Sequence, residues 1–529
     1  MKSSQKISLV LIGLMITTYL IYAGIYIKNT SFVASGERYF VLFDDAMISM
    51  RYAKNFAHGF GLVWNPGEAP VEGYTNPLWV IFMAGFHLLP LAASKISLAV
   101  QISGAIFLAI NLYFVFQIAQ KLAQNLVIAA LAAILTAFYM PLNTWSLQGM
   151  EVSLLVLMLS ISVWLVLNNL ERDRFSVWPY LILGIGTLVR IDMAVPYLVV
   201  LGFLVIFDPK NRKQNLIWGL GLLAVFIGGQ TIFRLWYYGE PLPNTYYLKM
   251  TGFPLITRLK RGGYVLFKLM EQMNWVLFLL PFAALLFRRD RLILFLFTIL
   301  GGQVAYSVYV GGDAWEHVGG ANRYIALAAP IFFILFVYTV QQIITAIATK
   351  IRPQILPNHW VVNLTLIALV LASMVNFNLL SNQKSLRRWI LTRPPDFIEA
   401  NIEYVEIANR LKEITTPEAR IAVVTAGAIP YFSERPTIDL LGKNDPFIAR
   451  QPNHLPSGIG DIRPGHMKWD YDYAIGELKP DVVVQIWGDI ETAKKYLSEY
   501  YVSAEYDGMV FSLLKDSPEI LWEKVTIQP

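Results

Sequence analysis

The stretch from Phe43 to Trp79 reads FDDAMISMRYAKNFAHGFGLVWNPGEAPVEGYTNPLW, and it is a dense polar segment between two strongly apolar ones. It begins with the adjacent carboxylates Asp44 and Asp45, and it ends with Asn76 and a proline that lead into a hydrophobic run. In a chain that is 56% hydrophobic, such a segment indicates a function, because burying polar groups costs free energy. We therefore take it as the candidate active site.

Composition identifies a helical membrane protein with several spans. Only 15% of the 529 residues are charged, and the mean hydropathy is +0.49. Apolar runs of about 20 residues recur from Ser8 to Leu380, and each is long enough to cross a bilayer. The absence of cysteine excludes disulfides, thiolate catalysis and cysteine-ligated metals. The net charge of +6 comes from basic residues in short loops, so it indicates membrane topology and no nucleic-acid partner.

The topology depends on the apolar segment 77–90. A helix of roughly 13 residues reaches only about 20 Å, so we interpret this segment as a re-entrant or juxtamembrane helix. Every basic loop then lies in the cytosol, as the positive-inside rule requires, and the N-terminus is cytosolic as well. About 11 full spans are predicted, at residues 7–27, 95–118, 125–142, 151–169, 177–190, 193–208, 215–236, 273–288, 291–310, 323–347 and 358–380.

Two domains are expected. Residues 1–380 form the transmembrane catalytic domain, and residues 381–529 form a soluble extracytoplasmic α/β domain, because charges become frequent after Leu380. Its predicted strands and helices alternate, and they are Ile421–Thr425, Thr437–Leu441, Val482–Ile486 and Val510–Leu514 as strands, with 398–414 and 489–500 as helices. The expected location is a bacterial inner membrane, with the active site outside the cytoplasm.

Two helix starts frame the polar segment. Asp44 or Asp45 is expected to cap a helix that runs to Ala57. Asn76 precedes a proline at a first helical position, and the positive end of that helix suits a phosphate. Two adjacent carboxylates suit a general base with a second group that orients a sugar hydroxyl or binds a divalent cation. Asp44 and Asp45 are therefore also the candidate ligands of a metal cofactor.

Further polar residues fall on the same predicted external side. Glu151 begins a span, and Arg190 and Asp192 share a tight turn where they can pair with each other. Arginine and lysine suit a lipid-linked phosphate, and the candidates for binding it are Arg190, Arg234, Lys249 and Arg323. The candidate substrate-binding residues are Arg51, Tyr74, Asn76, Asn244, Asp313 and His317.

Several of these stretches together resemble the GT-C class of polytopic glycosyltransferases, which use polyprenyl-phosphate sugars. The pattern is similar to the branch that contains the terminal arabinofuranosyltransferase of mycobacterial cell walls, and it runs in pieces from about Phe43 to His466. The resemblance is carried by DDAMISMRYAKNFAHGFGLVWNPGEAPVEGYTNPLW, GMEVSLL, YYGEPLPNTYYLK, YVGGDAWEHVGGANRYIALAAP, GAIPYFSERPTIDLLGKNDPFIAR and the later Gly465-His466.

The resemblance implies an inverting transfer of one sugar, on the outer face of the membrane, to a glycan or glycolipid acceptor of the cell envelope. In such families an acidic residue of the first external loop acts as base toward the acceptor hydroxyl, and here that position is Asp44 or Asp45. A second acidic residue corresponds to Glu151. At Asp192 the chain departs from its relatives, which often have proline before the aspartate. The donor sugar is not carried over.

Two other functions stay open. A lipid-glycan transporter or flippase needs polar groups at both membrane faces, whereas the polar motifs here lie almost entirely on one. A glycan polymerase or ligase that uses diphosphate-linked oligosaccharides would release a different lipid product.

Overall fold

Long apolar helices make up most of the chain in the computed structural model, which describes residues 2–316, 322–351, 359–379 and 383–528. A short antiparallel hairpin, β1 (Phe32–Ala34) with β2 (Glu37–Tyr39), follows the first helix. The helices before residue 380 are α1 (Lys2–Asn29), α2 (Asp44–Ala57), α3 (Pro77–His87), α4 (Ala93–Ala123), α5 (Leu126–Ala137), α6 (Met140–Leu147), α7 (Val152–Arg172), α8 (Trp178–Val189), α9 (Ala194–Phe207), α10 (Arg212–Tyr237), α11 (Asn244–Met250), α12 (Leu255–Gln272), α13 (Trp275–Leu279), α14 (Ala284–Phe287), α15 (Arg291–Val310), α16 (Arg323–Ala326), α17 (Ala329–Ile351) and α18 (His359–Leu379).

Within the described residues, seven helices are long and apolar enough to cross a membrane, namely α1, α4, α7, α10, α15, α17 and α18. Two bent pairs raise the number to nine if each is one span: α5 with α6, bent by 53°, and α12 with α13–α14, bent by 108°. The prediction of about 11 spans also counts α8 and α9. These have 12 and 14 residues, so each is shorter than about 30 Å of hydrocarbon.

The basic loops at one end of the helices contact one another. Lys121 at the end of α4 pairs with Glu171 at the end of α7. Asp173, which follows α7, lies 2.6 Å from Lys210 and 3.6 Å from Arg291. The loops that the positive-inside rule places together are therefore together in space.

Helix α3 corresponds to the apolar segment 77–90, whose topology we inferred from the distribution of the basic loops. It begins at Pro77 directly after Asn76, as predicted, and its 11 residues span about 16 Å. Its buried face, which includes Trp79 and Met83, packs toward α2, α4 and α8. The helix is too short to cross a bilayer alone, and it serves as a wall behind the polar segment.

Residues beyond 383 form an α/β lobe, as predicted. Its six-stranded sheet has the order β4-β3-β5-β7-β6-β8, with β4, β3 and β5 parallel and the remaining pairs antiparallel. The predicted strands and helices are present, and β6 and β8 are additional. The elements are α19 (Gln383–Trp389), α20 (Ile398–Ile414), β3 (Ile421–Val423), α21 (Ala428–Ser433), β4 (Thr437–Asp439), α22 (Pro446–Ala449), β5 (Val482–Val483), α23 (Ile490–Tyr500), β6 (Tyr501–Tyr506), β7 (Met509–Leu514) and β8 (Thr526–Ile527).

Arg51 on α2 joins the polar segment to this lobe. Its guanidinium donates to the backbone carbonyls of Trp64 (2.7 Å), Pro430 (2.6 Å) and Arg435 (2.9 Å), and to the side-chain oxygen of Asn65 (2.8 Å). A buried guanidinium with this many acceptors is satisfied by the protein itself. The structure therefore places Arg51, predicted as a substrate-binding residue, at the junction between the two parts of the chain.

Candidate active site

Asp44 and Asp45 both begin α2, but they face different groups. The N-cap of α2 is Phe43, and neither aspartate caps the helix with its side chain, so that prediction is wrong. The amides of Ala46 and Met47 donate to the Phe43 carbonyl instead. Asp44 Oδ1 accepts hydrogen bonds from the backbone N–H groups of Gly427 (3.2 Å) and Ala428 (2.8 Å), where α21 of the lobe begins.

The Asp44 carboxyl fastens the lobe to α2. The contact is close, because a Cβ atom on Gly427 would lie 2.1 Å from the Asp44 carbonyl oxygen. Burial raises the pKa of Asp44 to about 6, the neighbouring Asp45 charge adds to the rise, and Lys443 and the Ala428 amide oppose it. Asp44 thus acts first as an acceptor for the lobe's backbone.

Asp45 carries an ion pair on each of its oxygens. Lys443 Nζ lies 2.7 Å from Oδ1, and Arg323 Nη1 lies 3.3 Å from Oδ2. Burial alone would raise the pKa of Asp45, but the charges of Lys443, Arg323 and Lys249 lower it well below its ordinary value. Asp45 is therefore a carboxylate at neutral pH.

Lys443 is a site residue that the sequence did not single out. It belongs to the lobe and lies in the stretch GAIPYFSERPTIDLLGKNDPFIAR, but no local motif marks it. Asn244 positions its backbone by donating to the carbonyls of Gly442 (3.0 Å), Lys443 (3.0 Å) and Asp445 (3.2 Å). Asn244, predicted to bind substrate, here holds the loop that brings Lys443 to Asp45.

Asp313 holds Arg323 in place. Arg323 Nε lies 2.6 Å from Asp313 Oδ2 and its Nη2 lies 2.8 Å from Oδ1, which is a bidentate pair. The guanidinium also lies over the ring of Trp145, 5.2 Å from its centroid. Because both side chains of the pair are buried, Arg323 presents its remaining amino group to Asp45 in a fixed direction.

Glu151 and Arg190 form a second buried pair. Arg190 Nη1 lies 2.8 Å from Glu151 Oε1, and Arg190 Nε lies 2.7 Å from Asp192, the neighbour with which it can pair. The other Glu151 oxygen accepts a hydrogen bond of 2.9 Å from Asn76. Glu151 is therefore linked to the helix start at Asn76, and it orients Arg190.

These side chains surround a small cavity of about 50 Å³. Its polar lining residues are Asp45, Ser49, Tyr74, Thr75, Asn76, Arg190, Thr245, Lys249, Arg323 and Lys443. A second cavity of about 320 Å³ shares four of the lining residues, which are Thr75, Arg190, Thr245 and Lys249. It lies between α9, α11 and α15, and its walls include Val195, Tyr246, Tyr306, Tyr309 and Val310.

Two groups on the shared wall have no hydrogen-bond partner within the part of the chain that the structure describes. One is the buried hydroxyl of Thr245. The other is the ammonium of Lys249, which also makes no ion pair there, although Asp45 is among its electrostatic neighbours. Burial lowers the pKa of Lys249 to about 8, and the nearby Arg323 charge acts in the same direction. The shared wall therefore offers an unpaired cation and a hydroxyl donor.

Other predicted site residues lie elsewhere or have other partners. Arg234 makes a buried bidentate pair with Glu72, at 2.7 and 3.1 Å, and lines neither cavity. Tyr74 lines the smaller cavity and shares a hydrogen bond of 2.8 Å with Tyr238. His317 lies outside the described residues.

The two adjacent carboxylates do not converge on one point. Asp44 faces backbone amides of the lobe, whereas Asp45 faces two cations. In residues 2–316, 322–351, 359–379 and 383–528, no three histidine, aspartate or glutamate side chains group so that they could hold a metal ion. A cation on both aspartates would need them to turn toward each other.

Comparison with known proteins supplies the context for this geometry. Residues 77–229 match the family described as dolichyl-phosphate-mannose-protein mannosyltransferase, and residues 396–520 match a domain family of unknown function. No curated protein matches the chain.

Among solved structures, the chain is similar to the oligosaccharyltransferase of Archaeoglobus fulgidus, with a TM-score of 0.57 at 12% identity over 98% of this chain and 76% of that one. It is also similar to ArnT from Cupriavidus metallidurans bound to undecaprenyl phosphate, with a TM-score of 0.51 at 12% identity over 80% and 85%. The predicted fold class is thereby confirmed. The chain has the fold of the GT-C membrane glycosyltransferases, and its residues 77–229 carry the sequence pattern of a mannosyltransferase family.

Proposed function

We propose that this protein is an inverting glycosyltransferase that moves one sugar from a polyprenyl-phosphate donor to an extracytoplasmic glycan or lipid-linked acceptor. The observation that carries the proposal is the shared wall of the two cavities. On that wall stands Lys249, a cation without an ion-pair partner in the part of the chain that the structure describes. It faces the ionised carboxylate of Asp45 across the smaller cavity, and the second cavity beside it has aromatic and apolar walls.

Asp45 is the residue that we assign as the base. Of the two aspartates it alone lines the small cavity, and it is ionised, so it can accept a proton. In the reaction, the acceptor oxygen gives its proton to Asp45 and forms a bond to the anomeric carbon. The bond from that carbon to the phosphate oxygen breaks on the opposite side, which inverts the configuration.

Lys249, Arg190 and Arg323 are suited to hold the leaving phosphate. The sugar phosphodiester carries one negative charge, and the released polyprenyl phosphate carries up to two at neutral pH. Cations at this place therefore interact more strongly with the product side of the reaction, which stabilises the transition state. Thr245, whose hydroxyl is free to donate, adds a hydrogen bond to a phosphate oxygen.

The second cavity suits the first isoprene units of the carrier. Its walls between α9 and α15 are largely apolar, and Arg190 and Lys249 mark its boundary with the small cavity. A lipid chain there would leave the protein between helices that face the bilayer. The two similar solved proteins include complexes with dolichol-phosphate and with undecaprenyl phosphate, which supports this class of donor.

The proposed orientation places the site on the extracytoplasmic face of a bacterial inner membrane. The basic loops around Lys121, Lys210 and Arg291 cluster at the opposite end of the helices, where the positive-inside rule expects the cytosol. The kinship to the mycobacterial arabinofuranosyltransferase branch, and with it the choice between pentose and hexose, stays a prediction.

The test is a transfer assay with the purified full-length protein in lipid nanodiscs. It is incubated with a panel of polyprenyl-phosphate sugars and with a glycolipid extract of the native host as acceptor, and the lipid products are separated by size and charge. The proposal predicts release of polyprenyl monophosphate with transfer of one sugar. A diphosphate-linked oligosaccharide is tested beside the panel, and release of the diphosphate carrier from it, without release of the monophosphate, indicates a polymerase or ligase. In sealed proteoliposomes, movement of the sugar lipid across the membrane without cleavage indicates a flippase. Either result overturns the proposal.

A further inference from the structure

We propose that the donor phosphate and the Asp45 carboxylate compete for Lys443, so that binding of the donor releases Asp45 to act as base. This inference rests on the proposed function and deepens it, because it assigns the lobe a direct part in the reaction. In the proposed sequence of steps, Lys443 of the lobe pairs with Asp45 until the donor binds.

The first observation is that Asp45 is fully engaged. Each of its oxygens faces a cation, Lys443 on one side and Arg323 on the other. A carboxylate held by two cations is a weak base, because both charges favour its ionised form. In this arrangement Asp45 is stabilised as a carboxylate but is poorly suited to take a proton from a sugar hydroxyl.

The second observation is the number of carboxylates that each cation faces. Arg190 is paired with both Glu151 and Asp192, and Arg323 is held by a bidentate contact to Asp313. Lys443 has Asp45 as its one ion-pair partner within the described residues. Of the cations that contact Asp45, Lys443 therefore has the fewest ties to other groups.

The third observation concerns which of these cations is able to move. Arg323 is a planar group fixed by Asp313 and by the ring of Trp145. Lys443 has a flexible stem that ends in a compact charge, while Asn244 anchors only its backbone. Lys443 lines the same small cavity as Lys249, so a phosphate that enters beside Lys249 is within the space that Lys443 faces.

These observations give an order of events. A phosphate that arrives at Lys249 attracts the Lys443 ammonium, because charge-assisted contacts to phosphate are strong. Asp45 then loses one of its two cations and becomes more basic at the moment when an anomeric carbon is present. As long as both cations hold Asp45, it is a weak base, so donor binding precedes activation of the acceptor hydroxyl.

A double-mutant cycle on ligand affinity tests the competition without any acceptor. The affinity of the full-length protein in nanodiscs for undecaprenyl phosphate is measured for the wild type, Asp45→Asn, Lys443→Met and the double variant. Asp45→Asn is expected to bind about tenfold more tightly, since close charge pairs couple by more than about 1.4 kcal/mol. Lys443→Met is expected to bind more weakly. In the Lys443→Met background, the gain from Asp45→Asn is expected to shrink to less than about threefold.

The control is Lys412→Met, a lobe lysine whose partner is Glu434 and which lies outside both cavities; its affinity should equal that of the wild type. If Asp45→Asn raises the affinity equally in the wild type and in Lys443→Met, then Asp45 simply repels the phosphate. That result would overturn the proposed competition for Lys443. So would an unchanged affinity of Asp45→Asn. Asp45→Ala serves as the second charge-removing variant if Asp45→Asn does not fold. A wild type that fails to bind undecaprenyl phosphate, but binds another lipid-linked sugar, would instead contradict the proposed donor class.

Discussion

Lys443 in the lobe lies 2.7 Å from Asp45 at the start of α2, although 398 residues separate the two in the chain. The candidate active site is therefore built from both parts of the protein. The lobe also reaches α2 through Asp44, which accepts hydrogen bonds from Gly427 and Ala428. Removal of the lobe would thus take away one of the two charges that hold Asp45.

Asp44→Asn should make stability less dependent on pH. Burial raises the pKa of Asp44 from 3.8 to about 6, so the folded protein takes up a proton that the unfolded chain does not hold. Its contribution to the free energy of unfolding is greatest below pH 3.8, and it is lost as the pH rises through about 6. The loss amounts to up to about 3 kcal/mol, at about 1.4 kcal/mol for each pKa unit.

Thermal unfolding at about pH 4 and about pH 7 checks this prediction. Asp44→Asn should gain stability relative to the wild type at the higher pH, because asparagine Oδ1 still accepts both hydrogen bonds without a charge. Asp507→Asn is the control, since Asp507 is exposed and pairs with Arg410 on the lobe surface. A constant difference between Asp44→Asn and the wild type at both pH values would contradict the assignment.

Lys249 should make phosphate affinity dependent on pH. Its pKa is lowered to about 8 by burial, and only the protonated ammonium attracts a phosphate. The affinity for undecaprenyl phosphate is expected to fall as the pH rises through about 8, which a titration from about pH 6.5 to about pH 9.5 would show. Lys249→Arg should move that fall out of the range, because a guanidinium keeps its proton.

The comparison for this titration is Lys260→Met, which removes an exposed lysine of α12. It should leave both the affinity and its pH dependence unchanged. Lys249→Met should lower the affinity by about tenfold or more and abolish the dependence. If Lys249→Met binds as the wild type does, the phosphate does not sit at the shared wall.

Arg234→Met should lower stability and leave the chemistry intact. Removal of Arg234 leaves Glu72 buried without its partner, which costs about 3–5 kcal/mol. The double variant Arg234→Met with Glu72→Gln removes that buried charge, so it should recover much of the loss in thermal unfolding. Both variants should transfer sugar at the wild-type rate where they are folded. A loss of transfer with unchanged stability would restore Arg234 as a phosphate ligand, as the sequence first suggested.

Arg51→Lys should loosen the lobe. A lysine ammonium cannot donate all the hydrogen bonds that the planar Arg51 guanidinium donates to three carbonyls and to Asn65. Each buried acceptor that is left without a donor costs about 1–3 kcal/mol. Limited proteolysis should therefore cut between the membrane part and the lobe more quickly. Arg410→Lys, at a half-buried arginine of the lobe that pairs with the exposed Asp507, is the matched control. Unchanged protease resistance together with lost transfer would favour a substrate contact for Arg51.

Much of the membrane architecture could be predicted because it follows from local composition. Runs of apolar residues predicted the long helices. The positive-inside rule predicted that Glu151, Arg190, Lys249 and Asp313 lie on the same side of the membrane as the polar segment. These residues do meet around Asp45. Alternating strand and helix patterns likewise predicted the lobe.

The finer assignments depended on contacts that no local pattern contains. Asp44 stands at the start of a helix, where a cap is expected, but its Oδ1 accepts a hydrogen bond from the Ala428 amide at the start of α21. Asn244 and Arg234 had suitable chemistry for a substrate, but their partners proved to be the backbone around Lys443 and the buried Glu72. Lys443 lies in a stretch that carries the resemblance, but nothing in that stretch marked it as a site residue. Such pairings are fixed by the packing of segments hundreds of residues apart.

The central claim is that Asp45 is the base of a sugar transfer from a polyprenyl phosphate, and its substitution is the most direct test. With the purified protein and a donor that the wild type accepts, Asp45→Asn should lower the rate of polyprenyl phosphate release by about 10² to 10⁴, the range that general bases contribute. Asp44→Asn, folded and assayed beside it, should stay within about tenfold of the wild type. Release by Asp45→Asn at the wild-type rate would contradict the account.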